Sequence, residues 1–449
     1  MSPPTTPTVL RIDAAALADA SGGMVQGSGG VSVLAAYSGR WGVLAVGSIA
    51  EVSAHEAGKS PALRIISRPN SLLIPGLINT HTHLDLTHIG PQPHDPAAGF
   101  DPWLQMIRER RLSAPQDISA SVVKGAELSL RAGVVTVGDI AGAVGGRASL
   151  AATTALKATP LSGVSFIEFF AFGSRERLAL GWLDHALDEA RRRGWLDNPG
   201  APIQVGIQPH APYSVSPNAY LAAAKGIDVR ACTHLAESVE ERRFLTSATG
   251  PMRDLLETLD LWDDDSARTI GRAASSVQHA RDNALARVSL VAHVNDASDA
   301  DLGTLAESGV SVAYCPRASA YFGAERHFGP HRYRDMLSMG INVALGTDSI
   351  VNLPPEAAER GISILDEMRF LHARDQTDPL TLLRMGTTNA AKALGLPPEP
   401  FTIRPGQTIA GLNAVAITER RGGDPLQAIL ASDEQPELLF HRNDSDSAR

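Results

Sequence analysis

Cysteine is scarce: Cys232 and Cys315 are the only two in 449 residues. Two thiols cannot build a disulfide framework, so a reducing, cytoplasmic setting is expected. Long apolar runs are missing too. No stretch reaches about 18 apolar residues, the length a spanning helix needs, so no membrane association is expected. The opening MSPPTTPTVLRID has no basic segment followed by an apolar one, so no secretory signal is expected. Basic residues are outnumbered 40 to 49, a net charge of −9, which argues against nucleic acid as a partner. The 43% hydrophobic and 20% charged fractions exclude global disorder and leave enough apolar material for a large core.

Residues 1–7 are rich in Pro and Thr and read as a loose N-terminus. Residues 8–75 hold short β-like runs separated by glycines and read as a small β-domain. From residue 76 the pattern changes. Eight apolar runs alternate with amphipathic stretches: GLINTHTH, GVVTVGDI, VSFIEFFAF, IQVGIQPH, DVRACTHLAE, VSLVAHVND, GVSVAYCPR and INVALGTDS. Buried strands alternating with helices imply a parallel sheet, and eight of them imply a (β/α)8 TIM barrel over 76–399. The run FTIRPGQTIAGLNAVAI should return to the N-terminal β-domain, so 8–75 and 400–431 together are expected to form a composite β-sandwich built from both chain ends. The polar stretch 432–449 reads as a disordered tail. Two long connections, 86–120 and 238–287, have the lengths of active-site walls or lids, and 262–287 reads as an insertion of unassigned role.

Histidine carries the chemical signal, because several of the 14 end strand-like runs. His81 and His83 lie two apart at the end of the first run, so both imidazoles point to one face and can share a metal ion. His234 closes the fifth run and Asp348 the eighth. Residues at the C-terminal ends of different barrel strands converge on one site. Three imidazoles and one carboxylate suit Zn²⁺, with Fe²⁺ as the alternative, and disfavour Mg²⁺ or Ca²⁺. Glu237, three residues after His234, is placed to shuttle a proton rather than to ligate. His293 ends the sixth run and can hold an attacking water. His210 ends the fourth in a turn stiffened by Pro209 and Pro212; it reads as a substrate contact or an extra ligand, with substrate contact preferred because four ligands already complete a mononuclear shell. Residues 202–212 contain no lysine, so the bridging carbamylated lysine of many two-metal barrel hydrolases is excluded and one metal ion per chain is expected.

The stretches PGLINTHTH, PHAPYSVSP, THLAES, AHVND, CPRASAYFG and GTDSI occur in order, one per strand end. With them the chain, from about residue 70 to 415, resembles the amidohydrolase superfamily in its mononuclear deaminase branch. HTHLDLTHIG, FDPWLQMI, HLAESVEERRFL and LDEMRFL are similar to the aminodeoxyfutalosine deaminase group. The resemblance implies that His81, His83, His234 and Asp348 bind the metal. It implies a hydrolytic deaminase that replaces an exocyclic amino group of a purine-nucleoside-type substrate with oxygen and releases ammonia. Asp348 would accept the proton of the attacking water, Glu237 would protonate the ring nitrogen and then the leaving group, and His293 would stabilise the tetrahedral intermediate. His210 and Arg317 would contact the distal part of the substrate; Arg317 suits the carboxylate of a benzoate-bearing nucleoside such as 6-amino-6-deoxyfutalosine, or else forms a structural ion pair. Trp103 would stack on a heterocycle or serve as a core or lid aromatic. The same scaffold serves adenosine/S-adenosylhomocysteine, guanine and triazine hydrolysis, so a chlorohydrolase or amidase is the alternative. A non-catalytic relative is disfavoured because every ligand position is filled. A homodimer rests on fold analogy alone. The chain departs from the pattern at Ala318-Ser319, at Ile350-Val351-Asn352 and at Ala410-Gly411-Leu412.

Overall fold

A computed structural model describes residues 8–196, 198, 200–223, 229–418 and 423–442. The expectations for residues 1–7 and for the end of the tail, 443–449, fall outside them.

Strands β1 (Thr8–Asp19), β2 (Gly23–Tyr37), β3 (Trp41–Gly47) and β4 (Leu63–Pro75) come from the N-terminal part. They pair with two late strands in one six-stranded sheet of order β14-β13-β4-β1-β2-β3. Here β13 is Gly411–Ala416 and β14 is Pro436–His441. The chain ends do meet, as the β-patterned run over 401–417 implied. Two details differ from expectation. The strands form a single hydrogen-bonded sheet where two facing sheets were expected; β1 is long enough to pair antiparallel with β2 and parallel with β4, with a register shift between Ala14 and Ala16 on both sides. Residues 436–441, expected in a disordered tail, are β14. Its Pro436, Leu439 and Phe440 are buried, while the exposed Glu437 pairs with Arg68 of β4. The polar and charged residues on either side hid this short strand. The sheet closes over Leu10, Ile12, Val33, Trp41 and Phe440, with Trp41 and Phe440 stacked at 4.5 Å.

The middle of the chain alternates strand and helix. Strands β5 (Leu77–Thr82), β6 (Val134–Ala141), β7 (Ser162–Phe169) and β8 (Ile203–Pro209) form one parallel sheet. Strands β9 (Cys232–Leu235), β10 (Leu290–His293), β11 (Ser311–Tyr314) and β12 (Val343–Leu345) form a second. Parallel bridges Ile207↔Ala231 and Thr82↔Asp348 link the two sheets at both edges. The strands are almost uniformly buried, as expected where helices cover a parallel sheet. Inward residues such as Ile78, Phe166, Leu290, Ala313 and Ala344 make one core cluster, while Leu156, Leu187, Leu305 and Leu365 of the covering helices join the larger one.

Residues 262–287 fold as two short helices, Asp264–Thr269 and Ser276–Asn283, capped by the side chains of Asp263 and Ser275. Val277 and Ala280 enter the core, and Arg253 lies 3.8 Å over the Trp262 ring. The insertion is thus packed on the domain. No described helix is long and apolar enough to cross a membrane.

Close strand packing depends on small residues at defined points. Gly163 in β7 has φ +134°, and a Cβ there would lie 1.9 Å from the Val137 carbonyl oxygen. Gly163→Ala should therefore cost at least about 2 kcal/mol, from strain plus backbone clash, and lower the thermal midpoint. A melting curve matching that of the unchanged protein would contradict this packing.

Candidate metal centre and acid–base residues

The chain turns sharply at the C-terminal strand ends. Ala236, His293 and Asp348 are non-glycine residues with φ of 54°, 74° and 61°. Such left-handed conformations persist only where the surroundings over-determine them, and they cluster at functional sites. Here hydrogen bonds do the holding. Thr347 and Asp348 donate their backbone N–H groups to the His81 carbonyl at 3.1 and 3.0 Å, and His83 N–H donates to the Asp348 carbonyl at 2.7 Å. The Asn79 amide donates to Thr347 Oγ1 and accepts from Thr347 N–H. Both carboxylate oxygens of Glu241 accept backbone N–H groups, from Ala236 at 2.8 Å and Glu237 at 3.0 Å.

These turns bring His81, His83, His234 and Asp348 together. His81 Nε2 and His83 Nε2 lie 3.7 and 3.5 Å from Asp348 Oδ1, and His83 Nε2 lies 3.4 Å from His234 Nε2. Ligands about 2.1 Å from a tetrahedral ion are about 3.4 Å apart, which matches. His81 Nε2 and Asp348 Oδ2 are buried without any protein hydrogen-bond partner. His234 Nδ1 is 2.9 Å from the His210 carbonyl, which orients the ring with Nε2 toward the cluster. Burial, reinforced by neighbouring imidazoles, holds His83 and His234 well below the usual histidine range. Both are therefore neutral and able to ligate at pH 7. By donor type, spacing and unpartnered atoms, the four residues fit a Zn²⁺-like ion.

Glu237 and His293 flank the cluster, with His293 Nε2 3.5 Å from Glu237 Oε1. Burial first, then Asp348 and Glu241, pushes the Glu237 carboxyl well above the ordinary carboxylate range. A carboxyl protonated near neutrality can act as an acid. His293 also lies within ligand distance of His81 and His234.

The expected substrate contacts divide. His210 is at the site: its ring is 5.0 Å from that of His234 and packs on Phe170, and Nδ1 meets Ser214 Oγ at 2.7 Å. Burial lowers it to about 4, with Glu168 opposing. Trp103 packs among Phe100 and Phe322 at 5.1 Å each, as part of an aromatic wall. Arg317 corrects the expectation of a carboxylate clamp. Its Nε donates to Glu367 Oε1 at 2.6 Å, its backbone N–H to Glu367 Oε2, and a terminal nitrogen to the Ser363 carbonyl. Arg317 sits at the start of helix Pro316–Tyr321, so the acidic residues of helix Ile364–Asp375 reach it before a substrate could.

Several residues at the site escaped the sequence reading. Glu168 ends β7 and pairs with Arg111 at 2.9 Å; Arg111 also holds Asp85 at 3.3 Å. Burial would raise Glu168, but Arg111 and His210 outweigh it and hold it below the usual range. Glu168, His210 and His234 present ligand atoms within 4.8 Å of one another. The run VSFIEFF contained the signal, an acid amid apolar strand residues. Glu241, four residues after Glu237, is fully buried and was assigned no role from the sequence.

The Amidohydrolase family model matches residues 72–423. The chain belongs to the amidohydrolase family. It is 27% identical over 371 residues to the aminodeoxyfutalosine deaminase of Deinococcus radiodurans, covering 79% of this chain and 81% of that protein. It is 25% identical over 350 residues to a 5-methylthioadenosine/S-adenosylhomocysteine deaminase of Acetivibrio thermocellus, covering 74% and 70%. Among solved structures, Helicobacter pylori aminofutalosine deaminase in complex with methylthio-coformycin superposes with a TM-score of 0.72 at 20% identity, over 95% of this chain and 98% of that one. Atrazine chlorohydrolase from Arthrobacter aurescens TC1, complexed with zinc, superposes with a TM-score of 0.69 at 19% identity, over 97% and 96%. Family and relatives together make the chain a hydrolase of non-peptide carbon–nitrogen bonds.

The Arg317–Glu367 pair is testable. Glu367 is fully buried, and burial raises its carboxyl despite Arg317, so the pair serves position more than net stability. Glu367→Leu should cost about 3–5 kcal/mol by stranding the guanidinium, and Arg317→Met/Glu367→Leu should recover much of it. Unchanged unfolding of the single variant would contradict a structural role for Arg317.

Proposed function

We propose that this chain is a metal-dependent hydrolytic deaminase acting on a purine-nucleoside-type substrate. The observation that carries it is the buried Glu237, its carboxyl pushed up by desolvation, beside three imidazoles and a carboxylate, of which His81 Nε2 and Asp348 Oδ2 have no hydrogen-bond partner. The eight parallel strands are read as a closed (β/α)8 barrel, supported by the bridges at both sheet edges, with the site at its C-terminal mouth. His81, His83, His234 and Asp348 would hold one divalent ion, read as zinc by donor type and by the zinc in the chlorohydrolase neighbour. When bound, such an ion acidifies a water and polarises the carbon under attack.

The chain's own groups do the rest. Asp348 Oδ2, free of protein partners, takes a proton from the water. Glu237 gives its proton to the ring nitrogen next to the amino-bearing carbon, takes up the proton held by Asp348 and delivers it to the departing amino group as ammonia, and is reprotonated by the new hydroxyl as the carbon–oxygen double bond forms. His293 Nε2, also buried without a partner, meets the oxyanion. His210 borders the distal side of the substrate. A purine-type substrate is supported by the deaminase relatives. Aminodeoxyfutalosine loses the arginine that favoured it, because Arg317 is engaged by Glu367. The chlorohydrolase neighbour favours one alternative, displacement of a different leaving group from the same kind of ring.

Glu237→Gln should keep its metal and lose at least about 100-fold in kcat/KM, as removal of an acid–base group does. Ammonia release with adenosine, 5′-methylthioadenosine, S-adenosylhomocysteine, aminodeoxyfutalosine, guanine and triazines would read it. Full activity of the variant, or release of chloride or amine but never ammonia, would refute the reading. Elemental analysis should find one zinc per chain; two would point to the Glu168, His210 and His234 group as a second site.

A further inference from the structure

Beside Glu237 the surface opens into a shallow cleft. Its lining includes the rings of Phe100, Phe322, Phe328, His94 and His327, with Glu240 beside Glu237. The rings are packed against one another, Phe100 on Phe322 at 5.2 Å and His94 on Tyr321 at 4.8 Å, so the wall is preformed. The one carboxylate in the lining besides Glu237 is Glu240. Glu240 is held at the cleft by accepting the Phe100 N–H at 3.2 Å. More acid lies behind it: burial first, then Glu240 and Asp254, raises the Asp101 carboxyl.

No lysine or arginine is among the described residues lining this cleft. The nearby arginines have other partners. Arg242 lies 4.8 Å over the Phe328 ring and is paired with Asp296. Arg317 is held by Glu367, and Arg111 by Glu168 and Asp85. Arg326 shares a helix with Phe328, but it is exposed and does not line the cleft.

We infer that this cleft selects substrates whose substituent beyond the reacting ring is uncharged and apolar, and that it disfavours a carboxylate there. The inference rests on the deaminase reading, which sets the reacting ring at Glu237. A carboxylate entering the cleft would lose water, find no lysine or arginine, and meet Glu240 with only the exposed imidazole of His327 opposite it. An alkyl or thioether group would instead cover aromatic faces. A benzoate-bearing nucleoside falls in the disfavoured class. Glu240 is only partly buried, so solvent screens its field and the discrimination is moderate.

The test uses two nucleosides that differ by one carboxylate, 5′-deoxy-5′-methylthioadenosine and 5′-deoxy-5′-(carboxymethylthio)adenosine, with the zinc-loaded full chain. Deamination gives kcat/KM, and calorimetry on Glu237→Gln gives Kd without turnover. The neutral nucleoside should be preferred at least about tenfold in both, and less so in high salt. Glu240→Gln keeps an oxygen for the Phe100 N–H and should narrow the ratio; Glu240→Arg should bring the carboxylate to parity or beyond. Equal or better use of the carboxylate by the unchanged protein overturns the inference, and so does a ratio that neither variant moves. Deamination of both nucleosides alike would refute the cleft's selectivity and leave the deaminase reading standing. A binding preference without deamination would do the reverse. Binding of neither would refute both.

Discussion

The structure turns on a set of buried ligand atoms that the protein itself leaves unpartnered. Unsatisfied polar groups in a dry interior are costly. Here they converge from segments far apart in sequence: His81 of β5 and Asp348 in the turn after β12. Around them the backbone takes left-handed turns at Ala236, His293 and Asp348. A bound cation would satisfy the atoms and justify the strain. The supports follow from that need: Asn79 with Thr347 at one sheet edge, Glu241 under Glu237, and the His210 carbonyl against His234.

Burial governs the electrostatics, but its outcome depends on each partner. Glu237 has no cation and is pushed up; Glu168 has Arg111 and is held down. Two buried glutamates in one site thus differ in protonation, and only Glu237 is suited to deliver a proton. Glu367 lies between them: its arginine does not fully offset burial, so the pair orders two helices more than it stabilises them. The same competition holds Arg242, Arg317 and Arg111 away from the cleft, where no described lining residue is a lysine or arginine.

Much of this was legible in the sequence. His81 and His83 could be read because a strand's period of two is strict, and the eight apolar runs because strands buried on both faces lose their polar alternation. Arg317 was legible only as a fork awaiting an acid; that the acid is Glu367, fifty residues later, depends on how two helices pack. β14 was missed because three buried residues in a charged tail carry little signal by themselves. Glu168 and Glu241 were missed because a carboxylate's burial is a property of its neighbours.

The sequence by itself determined the strand–helix alternation, the meeting of the chain ends and the kinds of donor at each strand end, since local periodicity and side-chain chemistry carry these. Only the tertiary structure decided which donors face one another, which acids are protonated and which arginines are free. Those outcomes depend on distance and desolvation between segments up to 268 residues apart, as in the Asn79–Thr347 link.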